Sequence, residues 1–143
     1  MKGFYKGNLN TDRKKSLILP KKQQEWLIGD FNQFKGSVRK TDLLELKYWK
    51  VKKKDAKDHK IKVQKSVGEI TIILKGETKG FIGEKIVTLR KNQYVYIPPG
   101  AINNLIVKVI GKDVEGLTIK APSDTKDGIK IPKILKPDRG FLY

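Results

Sequence analysis

GEITIILKGETKGFIGEKIVTLRKNQYVYIPPGAINN, residues 68–104, reads as four short strands joined by tight turns. Glu69 to Leu74 is a β-branched run, turned by Lys75-Gly76-Glu77. Thr78 to Ile82 returns, Gly83-Glu84 turns again, and Ile86 to Arg90 forms the third strand. Lys91-Asn92-Gln93 leads into Tyr94-Val95-Tyr96-Ile97, and Pro98-Pro99-Gly100 stops the ladder, since proline has no N–H to give. Short strands at regular spacing with turn signals between them predict an all-β sandwich or barrel.

Outside that stretch the chain continues the pattern. Residues 42–54 alternate from Leu44, with Leu44, Leu46 and Tyr48 on one side and Glu45, Lys47, Trp49 and Val51 on the other. Period two predicts a strand, but both faces carry aromatics, so the inner face is open. Residues 52–65 hold seven lysines and lead into a strand Ile61-Lys62-Val63-Gln64. Residues 105–120 read as a hairpin with Gly111-Lys112-Asp113 as its connection and Leu117 to Lys120 closing the barrel. Residues 25–34 contain Trp26, Ile28 and Phe31, a strand packed on the barrel with Gly29 permitting a bulge.

Before and after lie segments of different character. Residues 1–24 are basic, a solvated arm or one that binds anionic surfaces, with Ser16 to Pro20 as a short edge strand. Beyond Ser123, Pro132 and Pro137 alternate with Lys126, Lys130, Lys133 and Lys136. That punctuation argues against a central strand or helix and for an extended segment, in which Ile129, Ile131, Ile134, Leu135, Phe141, Leu142 and Tyr143 can dock on a neighbour. The expected organisation is one domain: residues 1–36 as arm and first packing strand, 37–122 as barrel, 123–143 as extended C-terminal segment.

Residues 42–121 resemble the cupin superfamily. Glu69 and Gly76 fit the end of the family's first motif, and Ile97-Pro98-Pro99-Gly100 fits its second, with Asn92 in place of that motif's first Gly. The resemblance implies a small jelly-roll β-barrel with a ligand pocket in its mouth. The family's His-x-His pair falls on Lys62 and Gln64, and its later His on Asn103, so the three metal-binding imidazoles are replaced. His59 is the chain's one histidine and stands out of register as a ligand. A three-His-one-Glu cage cannot be assembled, and no metal or other cofactor is expected. Lys62 and Glu69 read instead as a salt bridge filling the vacated place. Family members range from dioxygenases to isomerases, epimerases and sugar-binding modules, so the fold does not choose among them. The resemblance also implies a homodimer.

Composition narrows the field. The formal net charge is +17, from 32 Lys and Arg against 15 acids, and Arg occurs only at 13, 39, 90 and 139. Lysine is a solvated point charge rather than a bidentate reader, so this excess fits either a nonspecific anionic partner or a coding or temperature bias. No cysteine is present, which removes disulfides and thiolate chemistry and fits a cytoplasmic chain. The start lacks an apolar signal region and no apolar run can span a bilayer, so no membrane contact is expected. Nucleophile and phosphate-loop motifs are missing.

The candidate ligand-binding residues of the pocket are Lys62, Gln64, Glu69, Tyr94, Tyr96 and Asn103. Aromatic rings stack on sugars, amides bond hydroxyls and lysine meets phosphate. The expected partner is a small polar or anionic ligand, a sugar or nucleotide-sugar derivative. The catalytic alternative is a metal-independent isomerase or epimerase with Lys62 as base and Tyr94 or Tyr96 as acid. The third reading is nonspecific contact with nucleic acid or another polyanion.

Overall fold

The computed structural model describes residues 3–131. Eight strands form one curled antiparallel sheet: β1 (Trp26–Ile28), β2 (Glu45–Lys52), β3 (Ile61–Gln64), β4 (Gly68–Ile82), β5 (Lys85–Arg90), β6 (Tyr94–Ile97), β7 (Asn103–Ala121) and β8 (Gly128–Ile131). A single α-helix among the described residues, α1 (Leu9–Ser16), precedes them.

The sheet is organised on two long strands. Lys75-Gly76-Glu77 does not turn the chain back, and neither does Gly111-Lys112-Asp113. β4 and β7 each run through those positions and stay paired, from Gly68↔Ala121 to Lys75↔Glu115 and from Glu77↔Ile110 to Ile82↔Asn103. The register shifts between these halves, and Gly76 and Gly111 both adopt positive φ. The two expected hairpin turns are therefore matched bends in one ribbon, which lets it curl without losing its ladder. Gly76 is held to glycine twice over: its φ is +83°, and a Cβ there would lie 2.2 Å from the Asp113 carbonyl oxygen.

Around the ribbon, β5 pairs with the second half of β4 through the expected Gly83-Glu84 turn, and β6 pairs with its first half. On the far side β2 pairs with β7 from Glu45↔Lys120 to Lys52↔Asp113. β3 occupies the predicted residues Ile61 to Gln64 and meets β7 at Lys62↔Asn103. Its other neighbour is β8, which lies at the edge of the sheet and not at a central position, the place that the prolines argue against. Pro132, Pro137, Lys133, Lys136, Ile134, Leu135, Phe141, Leu142 and Tyr143 lie outside the described residues.

The N-terminal region departs most from expectation. Ser16 to Pro20 is not an edge strand. Asn8 caps α1 by accepting from the Thr11 N–H at 3.0 Å, and Asp12 lies in the first turn, where the helix dipole favours an acid. The buried Ser16 hydroxyl then accepts from Glu25 N–H. Residues 25–34 give only the short β1, followed by a 3₁₀ turn at Asn32–Phe34. Gly29 (φ +149°) sits where a Cβ would lie 2.5 Å from the Phe31 ring, so the glycine lets Phe31 stack on Trp26 with centroids 5.0 Å apart.

Inside the sheet the odd face of β2 is inward. Trp49, Val51, Ile73, Leu89, Ile97, Leu105, Val109 and Val114 form the apolar core. Gly116 makes room for the Trp49 indole, which a Cβ would meet at 2.3 Å. No helix among the described residues is long and apolar enough to cross a membrane.

Candidate functional site

Beyond that apolar half, the interior becomes charged. The register sets three cross-strand rows on the inner face of β2, β7 and β4: Trp49–Gly116–Ile73, then Lys47–Thr118–Thr71, then Glu45–Lys120–Glu69. The first belongs to the core and the last two make a polar end. β3 and β8 bring Lys62 and Lys130 to the same end, paired with each other in register.

Glu69 is the anchor. It is buried, accepts from the Lys62 ammonium at 2.7 Å, and accepts from the Thr71 hydroxyl at 3.2 Å. Trp49 N–H donates to the Thr118 hydroxyl at 2.9 Å, and the Thr118 and Thr71 hydroxyls lie 3.0 Å apart. Thr71 spends its proton on Glu69, so Thr118 must donate to Thr71; one chain of donors runs from the core to the carboxylate. Burial opposes ionisation of Glu69, but the Lys62 charge and hydrogen bond outweigh it and hold the carboxyl below its ordinary range. Glu45 is buried too, bonded by the Ser123 hydroxyl at 3.1 Å, and desolvation pushes its carboxyl up.

Four lysines share this end with the two carboxylates: half-buried Lys47, Lys62 and Lys120, and exposed Lys130 at its rim. Only Lys62 has an ion-pair partner among the described residues. Desolvation, reinforced by the Lys62 ammonium, lowers the Lys47 and Lys130 amines and brings Lys120 down to about 8. The Lys47 and Lys120 ammonium groups lie 5.2 and 5.5 Å from the centroid of the Trp26 ring, a weak cation–π contact for each. His59, half-buried at the edge of the cluster, is pushed down to about 4 by burial and by Lys47, Lys62 and Lys130, so it is neutral near pH 7.

The six residues expected in the pocket separate into two groups. Lys62, Gln64, Glu69 and Asn103 come together: Lys62 and Gln64 share a face of β3, Lys62 pairs with Asn103, and Lys62 bonds Glu69. Asn103 is 1% exposed; its amide N–H donates to Ala101 C=O, while its Oδ1 has no donor among the described residues. Tyr94 and Tyr96 do not join them. They pair with Ile72 and Ile70, so they stand on the outer face, 72% and 57% exposed, opposite Glu69 and Thr71. The expected base–acid pair of Lys62 with Tyr94 or Tyr96 is therefore not assembled, because the sheet lies between them. Lys47, Lys120, Lys130, Glu45 and Trp26 were absent from the sequence-derived site. A lysine alternating with Trp49 and Val51 was the available signal for Lys47, and Lys120 follows the run Leu117-Thr118-Ile119 in the same way.

A metal does not fit this donor set. The position beside Glu69 is filled by an ammonium, which repels a cation, and no three His, Asp or Glu side chains converge among the described residues.

The curled antiparallel sheet is a double-stranded β-helix, a cupin-like fold, and it carries its polar cluster at one end. An uncharacterized conserved protein with a double-stranded beta-helix domain from Klebsiella pneumoniae is similar, with a TM-score of 0.54 at 12% identity over 65% of this chain and 78% of that one. Oxalate decarboxylase from Bacillus subtilis is similar at TM-score 0.54 and 12% identity, over 66% of this chain and 26% of that one. A cupin protein from Bacteroides fragilis matches at TM-score 0.47 and 13% identity, over 67% of this chain and 77% of that one. The first two carry the likeness of fold and nothing about chemistry. No family model and no curated protein matches the sequence.

Proposed function

We propose that the chain is a metal-independent binding module for a small anionic ligand, a phosphorylated sugar or nucleotide sugar, seated at the polar end of the barrel interior. The observation that carries this reading is the charge imbalance there: half-buried Lys47 and Lys120 join Lys62 in one partly desolvated space, with exposed Lys130 at its rim, and Lys47, Lys120 and Lys130 have no ion-pair partner among the described residues. Four ammonium groups against Glu45 and Glu69 leave an excess that a dianion balances. The buried Asn103 Oδ1 offers an acceptor for a hydroxyl.

Glucose 6-phosphate, UDP-glucose, inorganic phosphate and glucose, compared by thermal shift and calorimetry, test it. The phosphorylated ligands should stabilise the fold, by about 2.7 kcal/mol at a hundred times their Kd, and glucose should not. Lys47→Met with Lys120→Met should weaken the phosphorylated ligands at least ~10-fold. Equal response to glucose, or none to any anion, overturns the reading.

The exposed run Lys52, Lys53 and Lys54 favours a second reading, nonspecific polyanion contact. Duplex DNA retarded equally by the wild type and the Lys47→Met/Lys120→Met variant, and released by salt, would place that contact on the outer lysines. Tyr94, Tyr96 and Ile70 give the outer face an uncharged, exposed surface on which a second copy could pair, and light scattering would measure that mass.

A further inference from the structure

We propose that Lys120 is a nucleophilic amine that condenses with the carbonyl group of an anionic aldehyde or ketone to form an imine within the barrel. This rests on the anion-binding reading above and names the reactive group its ligand would bear.

Position singles Lys120 out. It is the middle member of the row Glu45–Lys120–Glu69, so buried carboxylates flank it on both neighbouring strands. Neither forms an ion pair with it among the described residues. Glu45 is engaged by Ser123, and Glu69 by Lys62 and Thr71. The Lys120 side chain is half-buried against Trp26, with like charge from Lys62 and Lys47 around it. An amine in that setting sheds its proton near neutrality, at about 8, whereas an exposed lysine keeps it.

The groups around it suit the chemistry. Lys47, Lys62 and Lys130 would hold the ligand's anionic end. The Lys120 Nζ lone pair forms the C–N bond as the carbonyl π bond opens, and one amine proton passes to that oxygen. The carbinolamine hydroxyl then leaves as water, its second proton coming from the same nitrogen by way of solvent. The products are a neutral imine and one water, beside the Glu45 carboxylate on the neighbouring strand. Charge and atoms balance with no oxidant or reductant. The titratable groups bearing on the pH profile are Glu45, Glu69 and Asp124, Lys47, Lys62 and Lys130, His59 and Glu25.

Pyridoxal 5′-phosphate is the probe, since it carries both phosphate and aldehyde. The full chain is incubated at pH 8, followed by imine absorbance, reduced with borohydride and mapped by peptide mass. At pH 8 an amine titrating at about 8 is ~100-fold more deprotonated than an exposed lysine, and its weaker basicity returns about a tenfold loss of nucleophilicity. Lys120 should therefore label ~10-fold faster than the median lysine. Inorganic phosphate should slow it, pyridoxal lacking phosphate should lose the selectivity, and Lys120→Arg should remove the fast phase, leaving the slow labelling of the other lysines, while keeping the charge and the fold. Labelling of Lys120 no faster than surface lysines, with phosphate still raising the Tm, overturns the imine and leaves anion binding standing. No labelling and no response to phosphate overturns both.

Discussion

Replacing Glu69 by Gln should move stability and ligand affinity in opposite directions. The substitution is nearly isosteric, yet it removes the charge that Lys62 bonds at 2.7 Å. The Glu69 side chain is 3% exposed and that of Lys62 21%, so the ammonium is left largely inside, with Lys47, Lys120 and Lys130 as like-charged neighbours. Removing one partner of a buried pair costs about 3–5 kcal/mol. Lys62 keeps part of its hydration, so a cost below that range, about 2–3 kcal/mol, is expected. At a urea m-value of about 2 kcal/mol/M the midpoint falls by roughly 1–1.5 M. Anion affinity should meanwhile rise on the order of tenfold, because an added unit of positive charge about 6 Å away is worth up to ~3 kcal/mol at an effective dielectric of about 20. Adding Lys62→Met should restore much of the stability. Urea melts of both single variants and the double variant, with phosphate titrations of each, give the answer. An unchanged midpoint would refute the buried pair. A lowered midpoint together with weaker phosphate binding would refute the claim that the interior is short of negative charge.

Four other outcomes are expected. Asp127 is buried and accepts from the Ser66 hydroxyl at 2.7 Å and from the Ser66 and Val67 N–H groups, which tie the segment before β8 to the start of β4; Asp127→Ala should cost about 2–3 kcal/mol in urea. Those bonds outweigh its desolvation and hold its carboxyl below the ordinary range, so its contribution is present above about pH 4 and fades as pH falls further, a dependence absent from the variant. His59 titrates lower folded than unfolded, so the unfolded chain binds more protons between about 6.5 and about 4; stability should decline as pH falls through that range, and less in His59→Gln. Gly76→Ala should destabilise by about 2–4 kcal/mol, because the new Cβ meets backbone rather than a movable side chain, whereas Gly36→Ala, which meets nothing within 4 Å, should cost about 1 kcal/mol from its positive φ alone. Phosphate affinity, read by calorimetry, should weaken as pH rises through about 8, and Lys120→Arg should remove that dependence.

Residues 68–104 and the strands around them determined the fold class, the Gly83-Glu84 turn, the Pro98-Pro99-Gly100 stop and the exact extent of β3, because each rests on chemistry local to a few residues. The same local chemistry misread Gly76 and Gly111. A glycine with positive φ ends a hairpin or bends a ribbon, and only the continued pairing of β4 with β7 distinguishes the two. Alternation divided β2 and β6 into two faces; it left the inner face of β2 open, and on β6 it turned Tyr94 and Tyr96 toward the pocket, whereas they stand on the outer face, since both faces of each strand carry apolar or aromatic groups. Lys62, Gln64, Glu69 and Asn103 were within reach of a motif. The row Glu45–Lys120–Glu69 was not: its members lie far apart in the chain, and their meeting depends on register, which is fixed by the packing of Trp49 over Gly116 one step deeper in the barrel.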